Sequence, residues 1–455
     1  MIWNWTKALD LEYRIALVQS QQELYGVKFD LDKAYDLVAE LDDKISCLEH
    51  QALQELPPIM HVNETKTNGV YGYCKMVFKK DGSYTKYITD NWEDPTVVGG
   101  VYTRIKYLQM NLNSNPQVKA YLLTQGWQPT TWNTDAEGNQ TSPVLTEDSY
   151  ASVSHLKLPS IISERAVLVH RRNMILSRAA PEHRGWIPNV RSDGRIEARG
   201  IPQATNTGRY RHSMVVNVPK ASPKVIYGAE LRSLFTVPEG KLLLGCDASG
   251  LEARMEAHYC YPLKGGKEYA HELLDGDIHA KNAELFGTDR DGAKAPKYAL
   301  TYGAQPAKLA DTLGISTSEA RKYYKAFWEG NTALGQFKDE AARVYEMRGF
   351  LKGLDGRAIK VRSPHSAVNA MFQSAGSITV KLATVLLYEW VQERGLDAHQ
   401  VLHFHDEFQY EIWPEDVEVM TELAEKAFEE AGKMLNIRVP IVGEVKVGKN
   451  WKETH

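Results

Sequence analysis

The stretch Lys241-Leu-Leu-Leu-Gly-Cys-Asp-Ala-Ser-Gly-Leu-Glu-Ala-Arg254 constrains the fold more than any other. Leu242 to Leu244 is a short apolar run closed by Gly245, the pattern of a buried strand. Asp247 falls where that strand stops, so its carboxylate stands at the strand's carboxyl end. Ser249 is placed to cap a helix on which Glu252 and Arg254 follow. A carboxylate at the tip of a buried strand must be met by a cation, by backbone donors or by an arginine, because an unpaired buried charge is costly.

A complementary stretch begins at Gln400. Gln400-Val-Leu-His-Phe-His-Asp-Glu-Phe-Gln-Tyr-Glu-Ile412 alternates apolar and polar residues on both sides of His405-Asp406-Glu407. This predicts two strands with the charged triplet at the turn. If the two segments adjoin, Asp247 and Asp406 meet at one sheet edge and repel unless cations bridge them. Two Mg²⁺ about 3.5–4 Å apart would activate a hydroxyl and stabilise a leaving oxygen.

The third stretch is Arg290-Asp-Gly-Ala-Lys-Ala-Pro-Lys-Tyr-Ala-Leu-Thr-Tyr-Gly303. Arg290, Lys294 and Tyr298 are spaced by four, which on a helix makes one face of two cations and a ring. Tyr302 continues it and Gly303 can end the helix. Such a stripe suits a triphosphate joined to a base. Pro296 falls inside this span, where an interior proline would cost about 3 kcal/mol and kink the helix, with Gly292 four residues earlier easing the ring clash.

Asp-Ala-Ser-Gly-Leu-Glu-Ala-Arg, Arg-x3-Lys-x3-Tyr-x3-Tyr-Gly and His-Asp-Glu occur in the order of motifs A, B and C of the A-family DNA polymerases, which the chain resembles over most of its length. Gly276-Asp-Ile-His-Ala-Lys-Asn282, Gly353-Leu-Asp-Gly-Arg357, Val361-Arg-Ser-Pro-His365 and Gln373-Ser-Ala-Gly376 resemble most the replicative polymerases of short-tailed bacteriophages. The resemblance implies an α+β right-hand fold. A thumb would span 1–190 with a β-containing insert at about 58–107, the palm 191–260 and 369–455, and helical fingers 261–368.

It also implies roles. Asp247, Asp406 and the Ala248 carbonyl would hold two Mg²⁺, for which Mn²⁺ can substitute. Glu407 would tune the primer end or a metal-bound water, and His405 either contacts the primer or simply fills the turn. Glu252 resembles the steric gate that favours deoxynucleotides. Arg290 and Lys294, with His279 as a third group, would hold the dNTP triphosphate. Tyr298 would stack on the nucleotide and, as a tyrosine, discriminate weakly against dideoxynucleotides. Tyr302 and Gly303 would guide the templating base. Arg209, in Thr207-Gly-Arg209, and Gln373 would touch the minor-groove side of the primer–template, where shared acceptors report pair geometry rather than sequence. Packing at helical spacing accounts equally for the two tyrosines, and an ordinary surface position for Arg209.

The rest of the chain sets the frame. Its 455 residues correspond to roughly three domains. Four cysteines without a Cys-x-x-Cys pair indicate neither a zinc site nor a disulfide framework, and no signal layout or run of about 18 apolar residues is present. The expectation is a cytoplasmic protein, in the host cell if phage-encoded, without a membrane span. Net charge is −4, but residues 290–362 carry 14 Lys/Arg against 8 Asp/Glu, which suits a phosphate-handling cleft or merely a solvated helix surface. Leu9, Leu11, Ile15, Val18 and Leu24 predict one helix face, and Leu37, Leu41, Ile45 and Leu48 another, with Gly26–Asp32 as a turn between them. Val70–Phe78 and Tyr84–Ile88 predict a hairpin about Asp81-Gly82. By resemblance this insert would bind a processivity partner such as thioredoxin, or contact duplex DNA directly, or be a surface loop. The chain starts almost where a thumb starts, so no intrinsic 3′–5′ exonuclease is expected. Either a separate exonuclease subunit supplies proofreading, or none does, or the chain is a piece of a longer one. A nuclease or phosphatase would share the paired carboxylates but not need the Arg290–Lys294–Tyr298 face. A non-catalytic DNA-binding factor would not need both aspartates.

Overall fold

The structure is a computed structural model that describes all residues except 1–4, 63–64, 68–69, 73–74, 95, 97–100, 103–104, 136, 138, 178–184 and 362. Cys74 and Arg362 therefore lie outside the described residues. The chain forms two compact units, 1–36 with 174–455, and 37–173.

The larger unit is built on a four-stranded antiparallel sheet in the order His399–Phe404, Glu407–Ile412, Leu242–Ala248, Gly443–Gly448. Leu243, Leu244 and Cys246 are fully buried, as the apolar run requires. Register pairs Leu244 with Tyr410 and Asp247 with Glu407. Phe404 opposite Glu407 closes the hairpin over a two-residue turn, His405-Asp406, with His405 at φ +57°. Helix Val417–Met434 covers strands Leu242–Ala248 and Gly443–Gly448, with Phe428 stacked on Phe408 at 5.3 Å.

Beside it runs the helix Ala367–Arg394, packed by Val417–Met434, Thr6–Tyr25 and Leu251–Cys260. Its apolar stretch reaches a mean hydropathy of 1.3, enough by length and composition to cross a membrane, yet 94% of that stretch is buried inside the protein. Neighbours on several sides demand apolar residues all round. Further helices of this unit lie between Leu251 and Arg348.

The helix Thr6–Tyr25 buries Ala8, Leu11, Ile15, Val18 and Gln22, but Leu9 and Leu24 are exposed, contrary to expectation. At about 100° per residue these two fall off the buried arc. The expected turn after Gly26 is instead a strand, Val27–Phe29, held between Arg195–Ile196 and Phe235–Thr236.

The smaller unit has its own core, including Ala52, Leu122, Trp127, Val153 and Ile162. Buried Arg165 ties it together, donating to Glu49 (2.7 Å), Asn113 Oδ1 (2.8 Å) and the Leu112 carbonyl (3.1 Å). The β-containing insert is present: Ile59–Val62 pairs with Ile105–Leu108, Thr65–Thr67 with Val70–Gly72, and Lys75–Met76 with Val101–Tyr102. The chain does turn back at Asp81-Gly82, with Phe78 bridged to Tyr84 and the Lys79 and Thr85 amides donating to the Ser83 (2.7 Å) and Val77 (2.9 Å) carbonyls, but Lys86–Asn91 is a helix. Three alternating residues are too few to separate a strand from one helical turn.

Candidate active site

The sheet brings the two acidic stretches together. The Ala248 amide donates to the Asp406 carbonyl at 3.0 Å, so Asp247 and Asp406 stand at adjacent strand tips. Burial, then Asp406, then Glu407 push the Asp247 carboxyl up to about 7. A cation at this tip would relieve all three effects. Among the described residues no group of three or more His, Cys, Asp or Glu side chains is arranged to hold a metal. Two carboxylates at one tip are hard oxygen donors, the ligand type that suits a Mg²⁺ completing its shell with water and phosphate oxygens.

Glu407 points inward. It is 2% exposed, and both its oxygens are occupied, one by the Trp451 indole N–H at 2.6 Å and one by the His455 ring. Its charge adds to that of Asp406 in raising the Asp247 pKa. Nothing in the sequence marked His455, a lone histidine after a Gly-x-Asn-Trp ending.

A cleft of about 80 Å³ opens beside the tip, lined by Arg209, Glu252, Gln373, His405 and Asp406 among others. His405 stacks edge-on against His212 (5.6 Å) and Phe404 (4.7 Å), and burial followed by Arg209 lowers its pKa. It thus both fills the turn and faces Arg209. Gln373 is half-buried on the core helix.

The Arg290–Gly303 stretch differs in detail from expectation. Its helix is Lys294–Thr301, so Arg290 lies in the preceding turn. Pro296 is in the first helical turn, where its missing N–H has no partner to lose. Gly292 serves the turn instead: a side chain there would collide with Thr288 Oγ1, and its amide donates to Asp289 at 2.6 Å. Arg290 Nε binds Asp277 at 2.6 Å and Lys294 binds Asp291 at 2.8 Å. Asp277 also caps the helix Ile278–Phe286. Tyr298 is 37% exposed, with its ring 6.0 Å from His279 and 6.2 Å from Tyr302. Burial, then Lys297, Lys294 and Arg290, lower the His279 pKa, so it sits among the cations. The Tyr302 hydroxyl donates to Glu252 at 2.8 Å, which links this helix to the cleft. Gly303, at φ +91°, passes so close to the His365 carbonyl that no side chain fits.

One member of this helix was invisible to motif reading. Lys297 is 2% exposed and binds Glu256 at 2.6 Å, which also accepts from the Tyr269 hydroxyl. In sequence it is one more lysine in a basic segment.

A family model for DNA polymerase family A matches residues 98–453. The chain belongs to that family. It is 28% identical to the DNA-directed DNA polymerase of Enterobacteria phage T3, over 99% of this chain and 70% of the relative. The same identity and coverage hold for the DNA-directed DNA polymerase of Escherichia phage T7. The solved POL domain of Pol1 from M. smegmatis, in complex with DNA primer–template and dNTP, superimposes with a TM-score of 0.71 at 19% identity, covering 97% of this chain and 70% of that one. The fold is therefore the right-hand polymerase fold, and this A-family chain is a DNA-directed DNA polymerase. Enzymes of the family generally use divalent metal ions.

Proposed function

We propose that this polymerase extends a DNA primer by a two-metal mechanism centred on Asp247 and Asp406. The observation that carries the reading is the acidic tip: one carboxylate at a strand end and one in the adjoining turn, the first pushed up to about 7 by burial and then by the other's charge. Two Mg²⁺ (or Mn²⁺) held by Asp247, Asp406 and the Ala248 carbonyl would supply activation of the primer 3′-hydroxyl and charge neutralisation at the leaving pyrophosphate. Arg290 and Lys294, with His279 beside them, bind and orient the triphosphate of the dNTP. Tyr298 presents an exposed ring for stacking. Glu252, held by the Tyr302 hydroxyl, occupies the place where a ribose 2′-hydroxyl would lie. Arg209 and Gln373 read the shape of the primer–template from the cleft, His405 borders the primer, and Tyr302 with Gly303 guides the template strand.

The thumb is assigned to 1–190, the palm to 191–260 and 369–455, and the fingers to 261–368. At the base of the insert an apolar groove of about 420 Å³, lined by Leu56, Pro57, Met110, Pro116 and Tyr121, supports the reading that the insert takes a processivity partner such as thioredoxin.

The test is primer extension with four dNTPs and Mg²⁺, comparing the wild type with Asp406→Ala. Loss of a metal carboxylate removes several kcal/mol of transition-state stabilisation, at least roughly a 10³-fold drop in rate. An Asp406→Ala enzyme that extends at the wild-type rate would refute the mechanism. A lane without dNTPs checks the exonuclease expectation, which is that the primer is not shortened. Added thioredoxin lengthens the products if the insert binds it.

A further inference from the structure

We propose that a buried cluster of paired charges, Glu12, Asp355, Arg357 and Lys381, is the mount that positions Arg209 against the primer–template. The inference rests on the reading of Arg209 given above.

Arg209 is exposed at the cleft, while its neighbours Thr207, Gly208 and Tyr210 are buried. The Gly208 carbonyl accepts from Ser377 of the core helix at 2.7 Å. On its other side, Gly208 lies against the Arg357 guanidinium: a Cβ at this position, φ +79°, would stand 2.5 Å from NH1. Tyr210 stacks on His403 at 4.2 Å, with the Lys381 ammonium 5.7 Å from its ring centre. The Arg209 amide donates to Thr205 Oγ1 at 2.9 Å. Arg209 is thus fixed at its backbone on both sides and left free at its side chain.

What fixes the mount is the charge cluster. The Arg357 side chain is 3% exposed and pairs with Asp355 (2.6 Å) and Glu12 (2.7 Å). Lys381, with no exposed side chain, reaches the same Glu12 oxygen at 2.6 Å. Gln203 accepts from Arg357 at 2.9 Å, on the loop that leads to Arg209. Two positive and two negative charges balance, and they come from three segments: the helix Thr6–Tyr25, the turn Gly353–Arg357 and the core helix. Desolvating four charges is an expensive way to fill a core, which apolar side chains fill as well or better. Directional bonds, unlike apolar contacts, admit one arrangement. Glu12 and Ser377 are therefore positioning residues.

The experiment compares Arg209→Ala, Ser377→Ala, Glu12→Gln and the double variant Arg209→Ala/Ser377→Ala. Single-turnover extension from matched and mismatched primer ends, the dNTP KM and the melting temperature are measured on each. Arg209→Ala is expected to slow matched-end extension and shrink the matched-to-mismatched ratio at unchanged KM. Ser377→Ala should reproduce part of that loss, about five-fold for one buried hydrogen bond, and Ser377→Thr should restore it. Glu12→Gln should do the same from outside the cleft. The double variant should be no slower than Arg209→Ala alone. If Ser377→Ala and Glu12→Gln lower only the melting temperature, or if the double variant is additive, the mount is overturned while Arg209 keeps its role. If Arg209→Ala itself leaves the matched-end rate and ratio unchanged, the reading of Arg209 fails and the mount with it.

Discussion

Asp291 stands one residue after Arg290 and holds the Lys294 ammonium at 2.8 Å, while Asp277 holds Arg290. Both carboxylates occupy cations assigned to the triphosphate, so an incoming dNTP must displace them. Neutralising one should ease binding: Asp291→Asn is expected to lower the dNTP KM by about three-fold with little change in kcat, the modest effect proper to an exposed pair. Steady-state titration of dNTP checks it, and an unchanged or raised KM would remove the competition. Lys297 contrasts with Lys294 although the two are three residues apart. Its pair with Glu256 is buried, so Lys297→Met leaves a carboxylate stranded and should cost about 3–5 kcal/mol in urea unfolding. The double variant Lys297→Met/Glu256→Gln should recover much of that. Burial separates these lysines, and burial depends on what packs against the helix, which the basic character of residues 290–362 did not show.

The helix carrying Tyr298 shows how element boundaries alter a residue's meaning. Read as a helix from Arg290, it holds a disruptive Pro296, whereas starting at Lys294 it holds a proline in its first turn. The two readings differ in consequence. Removing an interior proline would gain about 3 kcal/mol. Pro296→Ala is expected to stay within about 1 kcal/mol of the wild type, since it mainly changes the freedom of the unfolded chain. Denaturant midpoints at constant slope measure the difference. Three of the sheet's four strands were legible because both acidic stretches carry apolar runs of strand length ending at charged tips; the fourth, Gly443–Gly448, was not read from the sequence. The strand Val27–Phe29 was not, because three residues hold no period and it exists only through partners near residues 195 and 235.

At the scale of the larger unit, burial of imidazoles beneath the active-site hairpin sets a response to acid. Burial pushes His212 down to about 4 and His403 well below the usual histidine range. Both are neutral in the folded state near pH 5, while the unfolded chain takes up protons there. At these two rings the unfolded state thus binds more protons, so each lowers stability as pH drops from about 6.5 towards 4, by at most about 1.4 kcal/mol per pH unit, while Asp247, pushed up to about 7, acts in the opposite sense. Melting temperatures between pH 7 and 4.5 should show this decline, and His212→Phe should flatten it. A pH profile that His212→Phe leaves unchanged would contradict the burial of that ring.

The sequence by itself determined the family and the residue types at the proposed site: three ordered motifs carry an acidic pair, two cations and a ring, because each is a short run whose side chains share an edge or a helix face. Tertiary structure alone decided which way those groups point and what they meet. Glu407 lies against Trp451 and His455, 44 and 48 residues along the chain. Glu12, which reads as one more acid on a helix, became the hub of Arg357 and Lys381. The physical reason is range: helical and strand periods act over a few residues, whereas the desolvation and pairing of a buried charge depend on atoms brought together from hundreds of residues apart.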